Sequence, residues 1–538
     1  MVPYLLLLLI VSFTSLYSVI FFMGPSIYGD DFYYSQLAYN ITRGGFTEAG
    51  NIDPILSIRL LQIFPMAFFY ELLGYGAGPA AAWDFLSFIG TVIAVFFIGK
   101  ELYDYRAGLL SSALLSIMPI VVQYSTTVSD NITMMFLTTI VVLALVKATK
   151  MNSHAWYFAL GAAIVASLLT TPQSEIFAFV VFAYLAVELL RRKIRISRTS
   201  LFLLYGIAAS LLVLFAFNYL NNGNPLLTFT YTSTYYSGDV GVNFTLSTDQ
   251  YLFSMFPYSI FSTLSTISTN PTAPSNLITN IWSSTAPCGA YFYAAFVVLA
   301  YLIVKRERRA YLPVFLFLGC FLYMNFGPTH IGLNPFAYVL APRLDRYLIL
   351  LAVPAVLMMA MAIVRAFRTR SNAWKAVSAV VVLSGLAFLV ATSLHVNLFW
   401  YYVWDNSRYG QLQIASLLSA LPNTTRVYYV QGFFFVPIYV HYNNDSRFIQ
   451  YDPYSYCYNF SGGVYVAVPN NIPPPVPPSQ VKAPYLPLNI TDYCPYWQEV
   501  IAGSNTTVQI PLSQYDIYAI SRIARPWSLY YVPKNTTG

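Results

Sequence analysis

The run PYLLLLLIVSFTSLYSVIFFM at residues 3–23 is the first of eleven apolar stretches, and their recurrence restricts the fold more than any other feature. The others fall near 80–99, 107–125, 130–147, 155–171, 174–190, 199–219, 289–304, 310–326, 347–364 and 376–397. About 20 apolar residues in a helix cross roughly 30 Å of hydrocarbon, so these stretches read as membrane spans. The first has neither a basic leader nor a small-residue cleavage site and reads as a retained helix. Charged residues make up 9% of the chain, against about 25% in soluble globular domains, which excludes an ordinary soluble protein. The expected fold is a polytopic all-α membrane domain over residues 1–397, with about 11 transmembrane helices plus juxtamembrane helices. An extracytoplasmic α/β domain over 398–538 is expected to follow.

The charges that remain are sorted. Lys100 and Arg106, Lys147 and Lys150, the run RRKIRISR at 191–198, KRERR at 305–309, and Arg365 to Lys375 all fall in alternate, short inter-span loops. The positive-inside rule then places the N-terminus in the cytoplasm of a multi-pass cell-membrane protein. These clusters report topology, and no basic patch suited to nucleic acid is present. On the opposite side the membrane portion keeps four basic residues, Arg43, Arg59, Arg343 and Arg346. Asp30, Asp31, Asp53, Asp84, Asp130, Glu175 and Asp345 map to that same outer side. No acid falls at a span midpoint, as an ion-coupled transporter would require, so the outer interface is the expected working surface.

Two long external loops are expected, at 24–79 and 221–288. The first carries the adjacent pair Asp30-Asp31 at the start of a mixed aromatic and polar segment suited to a helix lying along the membrane. Residues 54–73, interrupted by Arg59, Pro65 and Glu71, suit a second interfacial helix, and Tyr251 to Phe261 a third. Beyond 397 the composition turns to Pro, Tyr, Asn and Ser. A helix is expected at 409–420, with strands at 426–430, 448–451 and 463–469, an extended connector at PPPVPPS, and short strands in the tail. Sequons at Asn40, Asn243, Asn423, Asn444, Asn459, Asn489, Asn505 and Asn535 all fall in the segments read as external. Cys288, Cys320, Cys457 and Cys494 have no metal-ligand spacing. Cys457 and Cys494, the two in the external domain, are expected to form a disulfide there.

Carboxylates at a membrane surface serve either as a general base or metal ligands facing a lipid-borne substrate, or as caps on helix N-H groups. One span, an acidic pair on a long outer loop with interfacial helices, many spans and an outer α/β domain together resemble the GT-C glycosyltransferases. Asp30-Asp31-x-x-Tyr34 resembles the Asp-Glu-x-x-Tyr opening of the protein O-mannosyltransferase and aminoarabinose-transferase group, with Asp for the second Glu. Ser129-Asp130-Asn131 resembles the group's second acidic position, and Arg346-Tyr347 the Arg-Tyr before a late span. Thr170-Thr171-Pro172-Gln173 stands where these relatives often carry a Lys, and the Trp-Trp-Asp-Tyr-Gly signature of oligosaccharyltransferases is absent.

The resemblance implies transfer of a sugar from a polyprenyl (dolichyl) phosphate donor to an acceptor protein, lipid or glycan at the outer face. It implies Asp30 as general base, assisted by Asp31, and Arg346 and Arg343 on the lipid phosphate. Asp130, Tyr347, Tyr34, Arg59, His330 and Glu175 are further candidates for substrate binding. No cofactor is expected. Two alternatives stay open: a metal-dependent, oligosaccharyltransferase-like enzyme using Asp30, Asp31 and Asp130 as ligands to a divalent cation, and a non-enzymatic lipid or polysaccharide transporter. The charge layout makes its own prediction. Single cysteines placed beside Arg192 should react only after the membrane is permeabilised, whereas cysteines at 398–538 should react in intact cells. The reverse pattern would invert the topology.

Overall fold

The computed structural model describes residues 2–22, 24, 30–44, 58–171, 173–191, 197–231, 290–326, 345–368 and 372–419, and five strands beyond them. The helices are α1 (Val2–Ile20), α2 (Asp30–Thr42), α3 (Leu60–Leu73), α4 (Ala77–Leu102), α5 (Tyr105–Ser116), α6 (Pro119–Ser125) and α7 (Asp130–Met151). They continue with α8 (His154–Leu168), α9 (Ser174–Leu190), α10 (Phe202–Asn222), α11 (Tyr291–Val304), α12 (Tyr311–Phe326), α13 (Ala352–Ala366) and α14 (Asn372–Ser419). Among the described residues six helices are long and apolar enough to cross a membrane, or seven if α5 and α6 count as one span.

The stretch expected as one span at 107–125 is broken. Pro119 supplies no backbone N-H and pushes Met118 into an extended conformation (ψ 122°), so α5 ends and α6 leaves at 64° to it. A second expectation is also corrected. The span at 376–397 and the helix at 409–420 are one uninterrupted helix, the 48-residue α14. At 1.5 Å per residue it is about 72 Å long, more than twice the hydrocarbon thickness.

Helix α13 lies at the centre of the bundle with nearly every residue buried, packed against α5, α11 and α12. The fully buried Tyr291 of α11 satisfies its hydroxyl by donating to the Leu114 carbonyl of α5 (2.8 Å). Helix α1 lies at the edge, most of its apolar side chains exposed as lipid contact demands, and is tied inward by Thr14 to Ser116 (2.6 Å) and by Asn397 to Tyr17 (2.9 Å).

Hydrophobicity gives no net attraction between helices within lipid, so close backbone packing must supply it. Two glycine pairs make that possible. A Cβ on Gly99 of α4 would lie 2.7 Å from Gly108 Cα of α5, and a Cβ on Gly206 of α10 would lie 2.1 Å from the Phe158 carbonyl oxygen of α8.

The strands are β1 (Arg426–Val430), β2 (Phe448–Tyr451), β3 (Val464–Pro469), β4 (Thr507–Gln509) and β5 (Trp527–Val532), in sheet order β2-β1-β3-β5-β4. β1 pairs in parallel with β2 (Val427 opposite Phe448) and with β3 (Arg426 opposite Val464), while β5 runs antiparallel to β3 and β4. Residues 251–261, the PPPVPPS connector, and Cys288, Cys457 and Cys494 lie outside the described residues. Cys320 is a free, buried thiol in α12.

The glycine contacts can be tested by overpacking. Gly206→Leu should destabilise the protein by about 1–3 kcal/mol or more, seen as a lower thermal unfolding midpoint in detergent. Gly385→Leu should leave the midpoint unchanged, because a Cβ there meets nothing within 4 Å.

Candidate active site

The acidic pair opens α2, which folds as it does because Tyr34, Leu37 and Ala38 recur at helical spacing and give it one apolar stripe. That stripe packs onto Ile63, Met66, Ala67 and Tyr70 of α3 and onto Ala80 and Ala81 at the start of α4, forming a small core separate from the main bundle. Tyr34 stands one turn beyond Asp30 and is fully buried. The backbones of Asp30 and Asp31 form the first turn of α2. Their side chains, like that of Arg346, lie outside the described part, as do Arg343 and His330 entirely.

Arg59 caps this core. It precedes α3, is 7% exposed, and donates from Nη1 both to the Tyr34 hydroxyl and to Asp130 Oδ2 (2.5 Å), with its guanidinium 5.6 Å from the centre of the Tyr34 ring. Asp130 is the first residue of α7 and is 3% exposed, and its other oxygen accepts from the Asn131 amide (3.1 Å). The capping role belongs to Ser129, whose Oγ accepts from the Asn131 backbone N-H (3.3 Å). Arg59 therefore does not snorkel to headgroups; it joins the helix that carries the acidic pair to the N-terminus of α7.

Beneath this bridge lies a second buried cluster. Asp84 of α4 accepts from Gln62 Nε2 at both oxygens (3.1 Å each), from the Ser129 backbone N-H (2.9 Å) and from the Thr133 hydroxyl (3.2 Å), which also lies 2.7 Å from Gln62 Oε1. Gln62 is one turn along α3 from Arg59, and Thr133 one turn along α7 from Asp130. The two clusters therefore clamp α3, α4 and α7 together at the same end. Sequence reasoning missed Gln62 and Thr133 as partners, although an Asp within the apolar face of a membrane helix signals that partners must exist.

The late motif reaches the same region from another direction. Asp345–Leu351 forms a 3-10 segment leading into α13 and packing against α6 and α7. Tyr347 on it is buried, and its hydroxyl accepts from Gln173 Nε2 (2.6 Å) at the start of α9. Glu175 follows on α9, half-buried. Gln173, at the end of the stretch Thr170–Gln173, is thus in direct contact with the residue after Arg346. Asp30 and Asp31 on α2, Asp130 on α7, Gln173 on α9 and Arg346-Tyr347 come from four separate stretches of sequence. α2 is linked to α7 through Arg59, and α7 and α9 both meet the 3-10 segment.

The family model of dolichyl-phosphate-mannose-protein mannosyltransferases matches residues 60–220, from α3 through α10. No curated protein matches the sequence. Among solved structures, ArnT from Cupriavidus metallidurans bound to undecaprenyl phosphate superposes with a TM-score of 0.56 at 12% identity, over 97% of this chain and 97% of that one. The apo state of the same protein matches with a TM-score of 0.51 at 13% identity, over 81% of this chain and 84% of that one. The likeness to ArnT is one of fold. The family match begins at Leu60, beside Arg59, and takes in Gln62, Asp84, Asp130 and Gln173, while Tyr34 and Arg59 lie before it.

Among the described residues no three His, Cys, Asp or Glu side chains cluster as a metal site would require. Asp130 already has a guanidinium on one oxygen and an amide on the other. The clamp is testable as a coupled pair. Arg59→Met, which leaves a buried carboxylate without its cation, should cost about 3–5 kcal/mol. Adding Asp130→Asn should recover part of that loss. A double-mutant cycle on thermal unfolding checks it, and additive effects would mean that the pair is not coupled.

Proposed function

We propose that the chain transfers a sugar from a polyprenyl-phosphate donor to an acceptor hydroxyl or amine at the outer membrane face. The observation that carries the reading is the Arg59 bridge from Tyr34 to Asp130, which fixes the first turn of α2, with its two aspartates, beside α7 in a GT-C fold. The undecaprenyl phosphate held by the similarly folded ArnT supports the donor class.

In the proposed reaction the acceptor gives its proton to Asp30 as it attacks the anomeric carbon. The bond from that carbon to the phosphate oxygen breaks, and its electron pair leaves with the lipid phosphate. Asp31 orients the sugar or the base. Arg346, with Arg343, takes the charge that grows on the departing phosphate, an interaction that strengthens toward the transition state in a site shielded from water. Tyr347 and Gln173 hold the segment that presents Arg346. Eleven spans, a cytoplasmic N-terminus and an extracytoplasmic 398–538 domain complete the proposal.

The reaction is read as metal-independent. A divalent ion held by Asp30, Asp31 and Asp130 would have to compete for Asp130 with the Arg59 guanidinium on one oxygen and the Asn131 amide on the other.

Single-turnover transfer from a labelled polyprenyl-phosphate sugar tests these roles. Asp30→Asn keeps the size and capping ability of Asp but cannot accept a proton, so transfer should fall by about 10²- to 10⁴-fold with donor binding retained. Arg346→Ala should slow transfer and weaken donor binding, and Arg346→Lys should restore only part, because Lys lacks the planar fork. EDTA should change little. Wild-type transfer by Asp30→Asn would overturn the base, and strong EDTA inhibition would favour the metal-dependent chemistry.

A further inference from the structure

At the opposite end of the bundle from the acidic pair, the C-terminal ends of α4, α7 and α9 and the start of α12 enclose a cavity of about 480 Å³. Its polar lining comes from Glu101, Lys150, Glu188, Arg308 and Arg309, and its aromatic lining from Tyr103, Tyr184 and Tyr311. None of these residues has a role in the chemistry proposed above.

The charge balance decides what the cavity accepts. Glu101 is already held by Lys147 (2.5 Å) and Lys150 (3.3 Å), and Glu188 by Arg191 (3.5 Å). Arg309 lies over the Tyr103 ring at 5.3 Å, and the Arg308 side chain makes no hydrogen bond or ion pair among the described residues. Lys150, Arg308 and Arg309 line the cavity and Lys147 and Arg191 flank it, while the neighbouring Asp104 and Glu307 are matched by Arg368 and Arg365, so the surplus over the carboxylates is three cations. The C-termini of α4, α7 and α9 contribute about half a negative elementary charge each, which offsets roughly half of the surplus and leaves the cavity positive.

Its surroundings decide the rest. Leu190, two residues beyond Glu188, and Ile303 and Val304, a turn before Arg308, are 82%, 54% and 77% exposed, apolar side chains at the helix ends that adjoin the lining segments. Tyrosines beside exposed apolar side chains are what a helix bundle presents at the headgroup layer, and basic pockets between helix ends take lipid phosphates.

We propose that this cavity binds the phosphate headgroup of an anionic membrane lipid, with Arg308 and Arg309 on the phosphate and the acyl chains lying along the exposed ends of α9 and α11. A volume of this size suits a headgroup, and the exposed apolar side chains suit the acyl chains. The site lies at the end of the bundle that carries every basic loop, which the proposed topology assigns to the cytoplasmic leaflet.

Native mass spectrometry of the full-length protein in an uncharged detergent tests this, with dioleoylphosphatidylglycerol, dioleoylphosphatidylcholine and soluble glycerol phosphate as probes. Wild type should retain the phosphatidylglycerol in preference to the phosphatidylcholine. The double variant Arg308→Gln/Arg309→Gln should bind it about 25-fold more weakly, roughly 5-fold for each cation removed near a membrane surface. Arg308→Lys/Arg309→Lys should keep most of the affinity, and Lys375→Gln, a basic residue outside the cavity, should keep all of it. Unfolding midpoints equal to wild type show that each variant is folded. Equal retention of the two lipids, or a double Gln variant within twofold of wild type, would overturn the proposal. Glycerol phosphate that competes as well as the lipid would overturn the lipid and assign the site to a soluble phosphate compound.

Discussion

The guanidinium of Arg59 holds one end of this helix bundle together. A buried cation in a membrane protein is tolerable only if its charge is met, and here a carboxylate from α7 meets it while a phenol from α2 accepts from the same nitrogen. The geometry follows from that need. α2 has one thin apolar stripe and would have little reason to settle in a single orientation on the bundle. The bridge at Tyr34 fixes it, and the fully satisfied Asp84 cluster keeps α3, α4 and α7 from shifting beneath it. Positioned catalytic groups need support of this kind, since a reacting group displaced by an ångström loses much of its effect.

The six helices long and apolar enough to cross a membrane were legible in the sequence because apolar length is a property of each segment alone. Breaks within apolar stretches were less so. Pro119 does signal the end of α5, but in an apolar run a proline is as compatible with a mild kink as with a 64° turn, and the packing decides which. The continuity of α14 was hidden for the opposite reason. The composition changes from apolar to polar near residue 397, which marks where the solvent changes and not where the helix stops. The strand sequences RVYYV and VYVAVP announced themselves through β-branched and aromatic residues, whereas their order in the sheet depends on pairing that no single segment encodes.

The candidate site was legible to the extent that charge is rare. Asp30, Asp31, Asp130 and Arg346 stood out because the segments read as external in the membrane portion have so few ionisable groups. Neutral partners gave no such signal. Gln62 and Thr133 matter through distances of 2.7–3.2 Å to residues far away in the chain, and Gln173 through a single contact with Tyr347. Arg59 was visible as a charge, but its burial was not, because one basic residue between two apolar segments fits a headgroup contact equally well.

The length of α14 has a mechanical consequence. From Leu398, where its apolar span ends, to Ser419 the helix runs on for about 30 Å without a break. It acts as a rigid arm between the bundle and the chain that forms the sheet. A tilt of roughly 5° about its membrane end would carry the far end through about 3 Å over that length. Small rearrangements among the helices of the bundle therefore reach the far end of α14 enlarged, and a load on that end is felt at Asn397 and its contact with α1.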